Sequence, residues 1–292
     1  MTESREFMAY LNGWLVPQSQ AMAKISEADV RLSGGFYDAE RTFNGKIFKL
    51  REHLRRLYHG IKYTNLDPGI TIEKMEDATN EVIEADRAMF GEDVDYLVSQ
   101  VVVRSTVANG TNVAIYCQPL DFTSFAWSYA RGVRVITPVT YSVPAKTNVN
   151  GVEQETYALL TDDEGNVTEC RHANFFFIKN GKLRLPDRKK VLPGISMETA
   201  LEIAKDLRIS VEEGDYCATD IYVADEAFIT GTRFCILPVA TLNGLTITDN
   251  VPGPVTKAIT DAWSARVGVD FVKQALNHVP TEDTQVIVTR TQ

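Results

Sequence analysis

Residues 144–155 read PAKTNVNGVEQE, with Lys146 two residues after a proline and Asn148, Asn150 and Gly151 following it. An amine in such a stretch is either a solvated surface lysine or a nucleophile able to form an imine with a carbonyl. Other stretches also carry groups suited to chemistry. In LPGISMETALEIAKDL a Leu-Pro-Gly leads directly into an amphipathic pattern. The backbone N–H groups of Ile195 and Ser196 then stand at a helix start, where an anion is stabilised. EHLRRL turns Leu54 and Leu57 towards a core and leaves Arg56 offset from them. VTECRHANFFFI places Glu169 five residues before Asn174, at the edge of an apolar run. A carboxylate there is partly buried and needs a partner. ADEAFITGTRFCILPV is an apolar strand that opens into Thr230-Gly231-Thr232, where hydroxyls and N–H groups are presented together.

The elements that must hold these groups are punctuated by Asn-Gly pairs at 12–13, 44–45, 109–110, 150–151, 180–181 and 243–244. Several lie between apolar or β-branched runs and read as hairpins, because both residues tolerate the positive φ of a tight type I′ turn. Helical spacing puts Leu54, Leu57, Tyr58 and Ile61 on one face of residues 50–63. A second helix is expected near 72–90. A third, Met197 to Leu207, aligns Met197, Ala200, Leu201, Ala204 and Leu207. Hairpins mixed with separate helices give an α+β chain and not a doubly wound parallel sheet. The expected organisation is a small α/β domain over 1–120, a connection over 121–132, a larger domain over 133–268 and a C-terminal appendage over 269–292.

Composition excludes several classes. A formal net charge of -9 argues against nucleic acid or anionic membrane as the main partner. No segment approaches the roughly 20 apolar residues that a membrane-spanning helix needs, and MTESREFMAYLNG is not a signal peptide. The four cysteines have no C-x-x-C spacing and the four histidines no metal motif, so no metal is expected and a cytoplasmic location fits best. There is no G-x-S-x-G elbow and no phosphate loop of the G-x-x-x-x-G-K-[ST] type.

In this order and spacing the pieces resemble the class IV (fold type IV) pyridoxal-phosphate-dependent aminotransferases. That family includes branched-chain and D-amino-acid aminotransferases, (R)-amine transaminases and aminodeoxychorismate lyases. The resemblance runs from YLNGWLVP through GKIFKLREHLRRL, DYLVSQVVVRST, EGNVTECRHANFFFIKNGKL, VLPGIS, ADEAFITGT and LNGLTI to GPVTKAI, nearly the whole chain. It implies a two-domain α+β fold, with a small α/β domain and a larger, β-barrel-like, cofactor-binding domain. The implied cofactor is pyridoxal 5'-phosphate. By this resemblance Lys146 matches the Schiff-base lysine and Glu169 the partner of the pyridine nitrogen. Arg56, the Ile195 and Ser196 amides and Thr232 match the phosphate-binding groups, and Asn174 joins them as a cofactor-binding residue. Phe36 and Tyr37 are implied as pocket walls, and Arg104, Arg171 and Arg233 are candidates for pairing with an acceptor carboxylate.

The chain departs from the pattern after Lys146-Thr147-Asn148-Val149-Asn150. Gly151 stands where the family has a tyrosine, and about a dozen residues, roughly three to four helical turns, are absent before the match resumes. Cys170-Arg171-His172 replaces glycine and small residues, and Arg233 is larger than expected. The VSQVVVRS run is closer in length to the (R)-amine group than to the branched-chain group. The implied activity is ping-pong transfer of an amino group from an amino acid or amine to a 2-oxo acid, by a homodimer. The alternatives are an aminodeoxychorismate-lyase-like enzyme, or a cofactor-binding homologue whose turnover is impaired by the missing helix.

Overall fold

The computed structural model describes residues 6–25, 35–91, 94–105, 110–138, 146–149 and 152–279. The chain forms two compact units, Met1–Leu120 and Asp121–Gln292.

In the first unit, β1 (Met8–Leu11) and β2 (Trp14–Pro17) pair antiparallel around Asn12 and Gly13, whose φ values of 50° and 102° are those an Asn-Gly turn requires. There follow α1 (Gln18–Met22), β3 (Phe36–Phe43), β4 (Lys46–Ile47), α2 (Leu50–Tyr63), α3 (Ile72–Phe90), β5 (Tyr96–Arg104) and β6 (Thr111–Pro119). The strands form one sheet in the order β2-β1-β6-β5-β3-β4. Leu50, Leu54, Leu57 and Ile61 repeat every three or four residues along α2 and are buried. Their stripe packs with Met75, Ala78, Val82 and Ile83 of α3 and with Val98, Val102, Val113 and Ile115 of the sheet. Thr71 starts α3 by accepting a hydrogen bond from the Lys74 N–H.

The second unit opens with a 3₁₀ turn (Phe122–Ser124) and α4 (Ser128–Arg131), so both fall in residues 121–132. Its further elements are β7 (Val133–Ile136), β8 (Lys146–Val149), β9 (Val152–Thr161), β10 (Val167–Cys170), β11 (Asn174–Lys179), β12 (Lys182–Pro186), α5 (Ile195–Asp206), β13 (Val211–Gly214), α6 (Ala218–Tyr222), β14 (Glu226–Gly231), β15 (Cys235–Leu242), β16 (Leu245–Thr246), α7 (Pro254–Val267) and α8 (Phe271–Leu276). Ten strands make one mixed sheet, β10-β9-β7-β15-β14-β11-β12-β13, with β16 added at β15 and β8 at β9. This is the larger β-rich domain of an α+β chain. Phe175, Phe176, Phe177 and Ile178 are consecutive and all buried, as expected of a strand covered on both faces.

Two local features differ from the sequence reading. Helix α5 starts at Ile195 and buries Met197, Ala200, Ile203 and Ala204, while Leu207 is its half-exposed C-cap, one residue past the last helical turn. Phe271, in the region expected as an appendage, is fully buried against Trp263 and Tyr129. Val149 of β8 pairs directly with Val152 of β9, in keeping with the residues missing from the family pattern at this point. The Asn-Gly pair at 150–151 and Asn109 lie outside the described residues. Among the described residues, no helix is long and apolar enough to cross a membrane and no cluster of side chains is arranged to hold a metal ion.

Candidate active site

In the second unit the β9–β10 ladder breaks register between Val167 and Cys170. Thr161 faces Val167 and Leu159 faces Cys170, so Thr168 and Glu169 together oppose Leu160. Such a bulge re-aims a side chain out of the regular alternation. Glu169 Oε2 accepts from the Leu192 N–H at 2.9 Å and from Asn174 Nδ2 at 3.2 Å. Asn174, the first residue of β11 and buried, also donates to the Leu192 carbonyl at 3.0 Å. Burial pushes the Glu169 carboxyl above its ordinary pKa, and the Leu192 N–H only partly offsets this. Glu169 Oε1 accepts no hydrogen bond among the described residues, which leaves it for a donor from a ligand.

The same segment delivers the start of α5. Gly194 is its N-cap and carries no side chain to cap it, so the first amides of α5, at Ile195 and Ser196, have no side-chain partner there. A Cβ at position 194 would sit 2.0 Å from Asn174 Oδ1. Only glycine allows this approach. Thr230 lies directly opposite Asn174 in the β11–β14 ladder, and its buried Oγ1 has no hydrogen-bond partner among the described residues. Two residues on, half-buried Thr232 begins the turn into β15. Leu192, whose backbone holds Glu169 and Asn174, turns an apolar side chain outward, 56% exposed.

A carboxylate with one unused oxygen, an uncapped helix start, two nearby hydroxyls and an outward apolar side chain form a donor set that fits pyridoxal phosphate. The ring nitrogen would take Glu169, the phosphate the helix amides and hydroxyls, and the ring face Leu192. Leu192 was not singled out from sequence. Its signal is a large apolar residue left exposed beside a half-buried carboxylate.

The remaining candidates divide between the units. Lys146 is placed by its backbone at the start of β8, opposite Glu155, and its side chain lies outside the described residues. Arg171 is exposed, with its backbone N–H on the Ala158 carbonyl. Arg233 is exposed too, near Ser124 Oγ (3.3 Å) and over the Phe125 ring. In the first unit, Arg56 Nε and Nη2 grip both oxygens of buried Asp38 at 2.8 and 2.6 Å, and His53 Nδ1 stands 2.9 Å from Asp38 Oδ1. Phe36 packs its ring over Gly60 of α2, where a Cβ would lie 2.5 Å from it, and Tyr37 beside it is 56% exposed. Arg104 Nη2 donates to the Thr64 carbonyl at 2.8 Å.

A Methanocaldococcus jannaschii protein named for branched-chain-amino-acid aminotransferase activity is 29% identical over 278 residues, covering 87% of this chain and 94% of its own. A T.th. branched-chain aminotransferase, solved with pyridoxamine 5'-phosphate, superimposes with a TM-score of 0.74 at 24% identity, over 91% of this chain and 96% of that one. The enzyme of Thermoproteus uzoniensis, solved with norvaline, gives a TM-score of 0.72 at 26% identity, over 90% and 95%. The family model for class IV amino-transferases matches residues 35–152 and 148–242. The two stretches meet just after Lys146, where β8 turns straight into β9. With well over half of its length matched, the chain belongs to the class IV aminotransferases, pyridoxal-phosphate-dependent enzymes that transfer amino groups.

Proposed function

We propose that this transaminase carries pyridoxal phosphate on Lys146, holds the ring nitrogen with Glu169, and takes its amino group from a donor with an apolar side chain, passing it to a 2-oxo acid. The observation that carries this reading is the Glu169 carboxylate, fixed through one oxygen by Leu192 and Asn174 with the other left unused. A carboxylate in that place favours the protonated ring nitrogen. When bound, the cofactor supplies an electron sink for the negative charge left as the donor Cα loses its proton. Freed once the donor amine has taken its place on the cofactor, Lys146 Nζ would accept that proton and hand it to the carbon on the far side of the donor nitrogen. The Ile195 and Ser196 amides and Thr232 hold the phosphate, and outward-facing Leu192 keeps water from the ring.

An apolar donor is supported by the branched-chain names of the relatives and by norvaline in the T. uzoniensis enzyme. The VSQVVVRS run that matched the (R)-amine group lies in β5, where Val98, Gln100, Val101, Val102 and Val103 are buried. The comparisons also favour transfer over the lyase alternative. The active species is a homodimer, as this family builds its sites at a subunit boundary, and the free cysteines Cys117, Cys170, Cys217 and Cys235 suit a reducing cytoplasm.

Borohydride treatment of the pyridoxal-phosphate-loaded protein, followed by peptide mapping, should fix the label on Lys146. Label on a different lysine, or none, would overturn the assignment. Assayed with 2-oxoglutarate, leucine, valine and norvaline should outpace an (R)-arylalkylamine. Sedimentation should give a dimer, and a monomer that still transaminates would count against the shared site.

A further inference from the structure

Two residues before Leu192, Lys190 reaches two carboxylates on other segments. Its Nζ lies 2.8 Å from Asp162 Oδ2 and 2.7 Å from Asp215 Oδ1. These partners stand 28 and 25 residues away, and nothing in the sequence reading singled the lysine out. Asp162 opens the β9–β10 turn. Its N–H donates to the Asn166 carbonyl at 2.9 Å, and its Oδ1 accepts from the Asn166 and Glu164 N–H groups. Val167, the first residue of β10, adjoins both carboxylates. It pairs with Thr161, which precedes Asp162, and its N–H donates at 2.7 Å to the carbonyl of Tyr216, which follows Asp215.

Val167 lies two residues before Glu169, as Lys190 lies two before Leu192. The segment that carries Leu192 is therefore tied to the start of β10 at two matching points. One is the Leu192 N–H on Glu169 Oε2 at 2.9 Å, and the other is Lys190 between Asp162 and Asp215. A segment held at one point pivots about it, and a second tie two residues away fixes its register. Little slack lies between them: Arg188–Lys190 form a single 3₁₀ turn, capped by Asp187 Oδ1 on the Lys189 N–H, and Val191 is extended. We propose that Lys190 is a positioning residue for Glu169: by spanning Asp162 and Asp215 it sets the register in which the Leu192 N–H meets the carboxylate, and so which oxygen is left for the ring nitrogen. This inference rests on the reading of Glu169 as the partner of that nitrogen.

Other charges support the same segment. Arg188 joins it to α5 through Glu198 at 3.3 Å and to β13 through Glu213 at 2.8 Å. The hydrogen bond from Lys190 holds the Asp162 carboxyl down to about 2, so this pair stays charged at neutral pH. Ion pairs as exposed as these contribute little to global stability, which separates their effect on register from an effect on folding.

The test uses cofactor-free full-length protein carrying carbon-13 at the glutamate side-chain carboxyls, with the Glu169 signal assigned by its absence in Glu169→Gln. Burial raises this carboxyl and the Leu192 N–H lowers it, so a lost hydrogen bond reads as a rise. Lys190→Met should raise the titration midpoint of Glu169 by about half a unit to one unit. Asp162→Asn keeps the acceptor that the β9–β10 turn needs but loses the tie, and should raise the midpoint too. Long-range charge alone would move the two variants in opposite directions, because one loses a cation and the other an anion. Lys190→Arg should stay near the starting value. Arg266→Met breaks a similar bridge, from α7 to Glu202 and Asp206 of α5, and should leave the midpoint in place. An unmoved midpoint in Lys190→Met overturns the proposal, as do opposite shifts in Lys190→Met and Asp162→Asn or an equal rise in Arg266→Met. Should Lys190→Met fail to fold, the direction of the Asp162→Asn shift decides. Normal cofactor retention and turnover in Glu169→Gln would instead overturn the reading of Glu169, independently of the titration.

Discussion

Asn174 braces Glu169 from five residues further along the chain, its Nδ2 donating to Glu169 Oε2 at 3.2 Å. The chain can fold back this sharply because His172 takes a left-handed φ of 67° and Cys170 bridges to Ala173. The same amide reaches the Leu192 carbonyl, so the carboxylate, the turn after β10 and the entry to α5 form one hydrogen-bonded unit. Glu169 is thus aimed by protein groups before any ligand arrives.

Asn174→Ala should therefore cost both stability and cofactor affinity. It leaves the Leu192 carbonyl without its donor and Glu169 with one partner fewer. A loss of about 1–3 kcal/mol is expected in urea denaturation, together with weaker retention of pyridoxal phosphate on dialysis. Unchanged midpoints and retention would mean that Glu169 is oriented by something else.

Gly194→Ala tests the close approach of Asn174 to the helix start. The backbone angles there, φ -70° and ψ 132°, suit alanine, so any cost is contact and not backbone strain. The new methyl group would stand 2.0 Å from Asn174 Oδ1 and must displace it. Overpacking of this kind costs about 1–3 kcal/mol. In the double variant with Asn174→Ala the losses should fall well short of additive, because the clash has lost its partner. Full additivity would refute the contact.

Much of this was legible in the sequence, for a physical reason that differs between elements. Leu50–Tyr63 carries its helix as an apolar stripe, and the stripe is what becomes buried. The turns at Asn12, Asn44, Asn180 and Asn243 show because positive φ selects residue type locally. Glu169 and Asn174 stand out because polar groups entering an apolar run need each other. What stayed hidden depends on partners distant in sequence. The Arg56 grip on Asp38 joins a helix to a strand, and the bulge that re-aims Glu169 has no residue signature. The six-residue α8 is too short to show a period, and its anchor Phe271 reads as any other phenylalanine until Trp263 is seen against it.

Glu226 holds the start of α7. Its Oε1 accepts from the Val255 N–H at 2.9 Å, and its Oε2 accepts from the N–H and the hydroxyl of Thr256, each at 2.8 Å. A buried carboxylate at a helix N-terminus satisfies amides that the helix itself cannot. Glu226→Gln turns an amide donor towards these donors and should lower stability by about 1.5–3 kcal/mol. Hydrogen exchange should quicken first in the opening turn of α7. Protection spread evenly over the unit would argue against a local cap.

Asp86 gives the first unit a pH dependence. Burial raises its carboxyl to about 6, and the Met8 N–H at 2.7 Å only partly opposes this. The folded state therefore binds its proton more tightly than the unfolded chain, whose value is near 3.9. The resulting stabilisation is complete below the unfolded value and is lost as pH rises through about 6. Relative to Asp86→Asn, the native protein should lose stability between pH 4 and 7, by no more than about 1.4 kcal/mol per unit. Parallel stability curves for the two proteins would show that Asp86 does not titrate in this range.

Arg56 has two tasks that a single substitution confounds. Its guanidinium grips Asp38, which is buried and shared with His53, and the family resemblance gives it the cofactor phosphate as well. Burial alone would raise the Asp38 carboxyl, but the hydrogen bonds from His53 and Arg56 outweigh it and bring the carboxyl below its ordinary value. That stability is present above the unfolded value and lost as pH falls through the folded one. Arg56→Ala should therefore weaken the first unit by about 1.5–3 kcal/mol, because it strands a buried charge, and should also weaken pyridoxal-phosphate binding. Adding Asp38→Asn removes the stranded charge. The double variant should regain most of the stability and none of the cofactor affinity. If affinity returned with stability, Arg56 would act on the cofactor only through the fold of its unit.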